Sequence, residues 1–193
     1  MNYMERFWDF LKEDSWKSFV VSLVLAFVVI KFVFFPVLSL LTGTSLPLVI
    51  VESCSMYHSS NLESVLENSV YDNYDISFND TSSWGFKHGL NKGDIVFILG
   101  TSQEKLDVGD VIVFDVNNGL VSMHPIIHRV IESNGKGVTT KGDNNPGLLN
   151  KGLEQNIKNG QIMGRAVFRI PYLGWVKLMF FENSRPVNDK GFC

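Results

Sequence analysis

The chain has 193 residues, room for a membrane anchor and one domain of ordinary size. A formal net charge of −3 leaves no basic stripe of the kind nucleic-acid binding needs, so no nucleic acid is expected as a partner. Two cysteines, Cys54 and Cys193, make no disulfide framework and match no zinc-site spacing; they read as a small buried side chain and a terminal thiol.

Residues 1–17 read as a cytoplasmic segment, in which Phe7, Trp8, Phe10, Leu11 and Trp16 suit a short interfacial helix. Residues 18–41 come next as an apolar stretch long enough to cross a bilayer as a helix. Its one charge, Lys31, costs about 2.5–3.5 kcal/mol on an insertion scale, against roughly 5–11 kcal/mol in favour from the Val, Leu, Ile and Phe residues. Insertion wins. Lys31 either snorkels or meets a partner helix, and Pro36 is expected to kink or end the helix. Arg6, Lys12 and Lys17 precede the span and no Lys or Arg stands in 42–51, which places the N-terminus in the cytoplasm and residues 42–193 outside. The span exceeds a secretory h-region and reads as a retained signal anchor.

Beyond it the period changes to that of strands. Strands are predicted over 46–51, 95–99, 111–116, 120–123, 126–131, 138–141 and 162–170, with turn signals at Gly93-Asp94, Gly109-Asp110, Asn117-Asn118-Gly119 and Asn134-Gly135. The fold class is mainly β, a barrel or sandwich with one N-terminal transmembrane helix. Residues 57–91 interrupt it as an insertion. Ser60 and Glu63 have capping-box spacing, and Leu62, Val65, Leu66, Ser69 and Val70 share one helical face. The segment serves either as a lid or as surface decoration. Asn79-Asp80-Thr81 forms a glycosylation sequon. Residues 171–181 are apolar but too short to span, and are expected to pack on the β domain or to dip into the headgroup region.

Three settings carry chemistry: Ser53-Cys54-Ser55-Met56, then Ile127-His128-Arg129-Val130, then Thr140-Lys141-Gly142-Asp143-Asn144-Asn145. A serine hydroxyl needs a neighbouring base to become a useful nucleophile, and imidazole, with an ordinary pKa of about 6.5, suits that task. His124 competes with His128, since residues four apart on a strand face the same side. His58 and His88 read as surface histidines, and Asp94 and Asp110 as turn residues.

Taken in order, with Gly109-Asp110-Val111-Ile112-Val113-Phe114 and Pro171-Tyr172-Leu173-Gly174, these motifs resemble the type I signal peptidases. The His-Arg-Val element points to the archaeal and eukaryotic-ER branch, which has histidine where the usual bacterial enzymes have lysine. The resemblance implies a signal-peptidase-type β fold, Ser55 as nucleophile, His128 as general base and Asp143 as the orienting acid. It also implies that Ser53 joins the backbone N–H of Ser55 in the oxyanion hole. The expected partners are signal-peptide-bearing preproteins, the lipid bilayer and the secretion machinery, with no metal or organic cofactor. Cleavage is expected after small residues of the Ala-x-Ala kind, at a cell membrane or an ER membrane. Many relatives carry a second aspartate about six residues after the first, where this chain has Leu149 and then no acid before Glu154. That departure sets two alternatives beside Asp143 as the orienting acid: Glu154 reaches the site from its loop with Asp143 as a supporting residue, or the chain is a non-catalytic membrane-tethered β module.

Overall fold

A computed structural model describes residues 2–60, 62–67, 70–116, 125–149, 152–184 and 190–193. The chain divides between Leu41 and Thr42 into two units.

The first unit is helical. Helix α1 (Tyr3–Lys12) has Asn2 as its N-cap, with Glu5 returning to the Asn2 backbone at 2.8 Å. Ser15 then caps α2 (Trp16–Val29) by accepting from the Ser18 N–H, and the Ser18 hydroxyl bonds the Leu11 carbonyl at 3.0 Å. The apolar helix runs from Trp16 to Thr42, long and apolar enough to cross a membrane. Pro36 does not end it. The disturbance is taken up one turn earlier, where Ile30–Phe34 forms a π turn and Phe35 N–H reaches back five residues to the Ile30 carbonyl. Regular α-helix resumes as α3 (Phe35–Thr42). Lys31 lies in the π turn, with its ammonium 5.7 Å from the Phe27 ring and 5.5 Å from the Phe32 ring.

The second unit is a six-stranded antiparallel sheet: β1 (Leu48–Ile50), β2 (Ile95–Leu99), β3 (Val111–Phe114), β4 (Ile126–Ser133), β5 (Val138–Lys141) and β6 (Ile162–Ile170). The strand order is β1-β2-β6-β3-β4-β5. The predicted strands therefore stand, save 120–123, which together with the Asn117-Asn118-Gly119 turn and His124 lies outside the described residues. Register slips between Phe97 and Ile98, between Val113 and Phe114, and between Val130 and Glu132 bend the sheet. The sheet curls, so that β1, at one end of the order, and the start of β4 line a common cleft. One core cluster joins Val51, Met56, Leu90, Val96, Ile98, Val111, Val113 and Ile127; a second joins Leu106, Ile112, Phe114, Val130, Val138 and Ile157.

The insertion 57–91 is packed into the domain. Its helix α4 (Leu62–Leu66) contributes Leu62 and Val65 to a third cluster with Tyr71, Ile76, Trp84 and Ile131, the last from β4. Gly109, at φ +99°, leaves the space the Trp84 indole fills: a Cβ there would stand 2.2 Å from Trp84 Cδ1. Helix α5 (Trp175–Phe181) buries Leu178 and exposes Val176, Met179, Phe180 and Phe181.

Candidate active site

Ser55 sits on the loop that comes after β1, and this loop is held from three sides. Asn144 donates twice, from its backbone N–H to the Ser55 carbonyl (2.8 Å) and from its side-chain amide to the Cys54 carbonyl (3.0 Å). Leu90 N–H bonds the Met56 carbonyl at 2.8 Å, and Tyr57 N–H bonds the Cys54 carbonyl at 3.1 Å. The third tie is covalent. Cys54 and Cys193, 139 residues apart in sequence, form a disulfide. The reading of the two cysteines as independent side chains is thereby corrected, because only the folded domain brings positions so distant in sequence within bonding range.

His128 lies on β4, opposite Ile112 of β3, and is 2 % exposed. Its Nε2 is 3.0 Å from Ser55 Oγ, and Ser53 Oγ is 3.1 Å from the same hydroxyl. Two of the expected site residues therefore converge on Ser55. His128 Nδ1 hydrogen-bonds Glu154 Oε1, while the Leu149 N–H donates to Glu154 Oε2. The loop after β5 delivers Glu154 by returning alongside that strand. Thr140 N–H bonds the Glu154 carbonyl at 2.9 Å, and Val138 and Ile157 exchange bonds of 3.1 and 2.9 Å. This adds a short segment beside β5, next to the strand that carries His128. Glu154 is fully buried.

Asp143 is placed elsewhere. Its carboxylate takes a bidentate pair from Arg129, Nε to Oδ1 at 2.9 Å and Nη2 to Oδ2 at 2.7 Å. The remaining guanidinium protons go to the carbonyls of Gly85 and Gly109 (2.9 Å each) and Phe86 (3.2 Å). All five guanidinium donors are used, and the Trp84 ring lies 5.2 Å from Cζ. His58, read from sequence as a surface histidine, instead stands with Nε2 3.5 Å from Asp143 Oδ2 and its side chain 6 % exposed. Burial pushes the Asp143 carboxyl up, but the Arg129 guanidinium and the His58 contact outweigh it and hold that carboxyl below the ordinary carboxylate range. Residues 128 and 129 point to opposite faces of the strand, so the two carboxylates serve different partners.

Gly142 permits the close assembly. A Cβ there would lie 2.8 Å from His128 Nε2, 2.8 Å from the Ser55 carbonyl and 2.6 Å from the Asn145 side chain. Lys141 is fully buried beside it, bonding the Gly142 carbonyl at 3.0 Å with its ammonium 4.9 Å from the Tyr71 ring. Burial pushes that ammonium down against the opposing pull of Asp143 and Glu154.

Asp94 and Asp110 do cap their turns, accepting from Asn91 N–H (2.9 Å) and Asp107 N–H (3.1 Å), and each also meets an arginine of β6. His88 is exposed. Among the described residues no group of His, Cys, Asp and Glu has metal-binding geometry.

Ser55 and His128 open onto a cleft of about 810 Å3, walled mainly by Leu46, Leu48, Ile50, Ile126, Ile127 and Leu149, with Glu52 and Lys177 also lining it. β1 is the end strand of the sheet, hydrogen-bonded to β2. The arrangement can transfer a proton from Ser55 to His128, with Glu154 holding the imidazole in place, while an extended chain lies along an apolar wall.

No protein-family model matches the chain. Curated proteins do. Over 112 residues it is 36 % identical to a signal peptidase complex catalytic subunit SEC11 of Lachancea thermotolerans, covering 53 % of this chain and 64 % of the relative. The proteins of the same name from Zygosaccharomyces rouxii and Verticillium alfalfae are 31 % and 29 % identical, with 64 % and 62 % of their lengths covered. The matches thus span a little under two thirds of these relatives.

Proposed function

We propose that this chain, a homologue of the catalytic subunits of the signal peptidase complex, is itself a membrane-anchored serine endopeptidase that removes signal peptides from secretory precursors. The observation that carries the reading is the hydrogen-bonded run Ser55–His128–Glu154 on an apolar cleft beside the end strand of a sheet. Ser55 attacks the scissile carbonyl, His128 takes its proton and later returns it to the leaving amine, and Glu154 fixes the imidazole tautomer and stabilises the imidazolium. Ser53 and the Ser55 N–H receive the oxyanion; such a donor is worth about 3–4 kcal/mol in the transition state. Asp143 supports the site by neutralising Arg129 and fixing the segment from which Asn144 grips the nucleophile loop.

The precursor adds to β1 as an extended strand, so that main-chain bonds give affinity and the apolar wall reads alternate side chains. Small residues of the Ala-x-Ala kind precede the cut. Residues 18–41 form the span with residues 1–17 cytoplasmic, and 42–193 form the extracytoplasmic domain at a cell or ER membrane. The exposed apolar residues of 171–181 meet the headgroup region. The alternative of a non-catalytic tethered module drew its support from the missing second aspartate; Glu154 against His128 supports the catalytic reading instead.

The test compares His128→Ala with His124→Ala on a precursor in detergent. His128→Ala abolishes cleavage and His124→Ala leaves most of it. Equal loss in the two variants would refute the assignment of the base.

A further inference from the structure

The disulfide is not needed for the chemistry proposed above, yet it is fastened to the residue between the oxyanion donor and the nucleophile. Ser53 and Ser55 turn their hydroxyls toward each other at 3.1 Å, while the side chain of Cys54 is committed to Cys193. The other end of the bridge is anchored. Phe192 packs on Trp175 of α5 with ring centroids 4.5 Å apart, and Gly191 N–H donates to Glu182 at 2.6 Å. Glu182 pairs with Lys92 at 2.7 Å, and the Trp175 indole N–H bonds the Lys92 carbonyl at 3.0 Å. Segment 190–193 is thus a strap from α5 to the nucleophile loop. Once the covalent tie is gone, the carbonyls of Cys54, Ser55 and Met56 are left with hydrogen bonds from Asn144, Tyr57 and Leu90, each of which opens more readily without the strap. Cys193 is exposed and Cys54 half-buried, so the bridge is reachable from solvent.

We propose that the Cys54–Cys193 disulfide is a redox-controlled clamp on the nucleophile loop, closed in an oxidising compartment and opened by a protein or small-molecule dithiol. This rests on the reading of Ser55 as the nucleophile. In the opening step a dithiol thiolate attacks the exposed Cys193 sulfur, forms a mixed disulfide and expels Cys54 as thiolate. The second thiol of the reductant then displaces Cys193. Two electrons and two protons end on the cysteines, and the dithiol leaves as its own disulfide. Freed of the strap, Ser55 samples positions away from His128, and small displacements of this kind lower turnover steeply.

The test uses the full chain in detergent micelles, oxidised or treated with dithiothreitol, beside Cys193→Ser, with thiols counted by alkylation and mass. Signal-peptide cleavage is measured together with amide hydrogen exchange. The expected result is a fall in kcat of about ten- to a hundredfold on reduction with KM little changed. The fall reverses on reoxidation, and Cys193→Ser reproduces it without further response to the dithiol. In parallel, exchange at Tyr57, Leu90 and Asn144 speeds up while β3 and β4 stay protected. Four results would overturn the clamp: no disulfide in the purified protein, equal and measurable turnover in both redox states, unchanged exchange in the loop, or loss of protection in β3 and β4 to the same degree. Loop exchange that responds to redox in a protein that cleaves in neither state would sink the peptidase reading and leave the clamp standing.

Discussion

Replacing Glu154 by Gln keeps shape and burial and changes one atom, and the hydrogen bonds around it dictate the outcome. The carboxylate now accepts from two N–H groups, His128 Nδ1 on one oxygen and Leu149 on the other. A glutamine has one oxygen to give. The Leu149 N–H is fixed by the backbone and can only donate, so the amide oxygen goes there and the amide NH2 faces His128. Nδ1 must then accept, which moves the imidazole proton to Nε2, the nitrogen 3.0 Å from Ser55 Oγ. A protonated Nε2 cannot take the serine proton. The same wrong-tautomer substitution in a serine protease triad costs about 10⁴ in kcat, so a loss of roughly 10³–10⁴, or about 4–5.5 kcal/mol of barrier, is expected here. The assay is single-turnover cleavage of a synthetic precursor in micelles, with thermal melting to confirm the fold. A Glu154→Gln protein that folds and cleaves within tenfold of the parent would refute the assignment of Glu154.

The same geometry sets three further outcomes. Asp143→Asn breaks a fully buried pair with Arg129 and lowers stability by about 3–5 kcal/mol, seen as a lower midpoint in urea. Because folding lowers the Asp143 pKa, its stabilisation is complete above the ordinary carboxylate range, about 3.9, and is lost as pH falls through the lower folded value. The share of the Asn deficit that comes from the carboxylate therefore narrows only as pH falls below about 4; a deficit already shrinking well above that range would contradict the linkage. Gly142→Ala places a methyl group against His128, Ser55 and Asn145, and turnover falls at least about tenfold while binding of the precursor changes little. Ser53→Ala costs about 10²–10³ in kcat if its hydroxyl serves the oxyanion, and a loss confined to KM would say otherwise.

The β scaffold was legible because its signals are local. Gly-Asp turns and period-two apolar runs marked β2 and β3 to within two residues, and β5 and β6 at their observed bounds. The apolar span, read as 18–41, was equally plain within the observed helix Trp16–Thr42, though a turn-wide π adjustment before Pro36 has no sequence mark of its own. At the site, their neighbours singled out Ser55 and His128 as candidates, and the fold brings the two side chains to 3.0 Å. Glu154 reaches His128 through strand-like pairing of 154–157 with β5, a tertiary arrangement; its only hint was the absence of an acid at position 149. The Gly-Asp pattern drew attention to Asp143, yet a carboxylate beside a strand serves whichever cation faces it, and Arg129 lies there. Burial of His58 and pairing of Cys54 with Cys193 depend on how the insertion and residues 190–193 pack, which periodicity does not report.

The most direct measurement is cleavage of a signal-peptide-bearing precursor in liposomes by the full chain beside Ser55→Ala, with the products identified by N-terminal sequencing. A single cut after a small residue at the end of the signal peptide is expected, absent in the Ser55→Ala protein. Cleavage that persists in Ser55→Ala, or none by a folded parent chain across several precursors, would contradict that expectation.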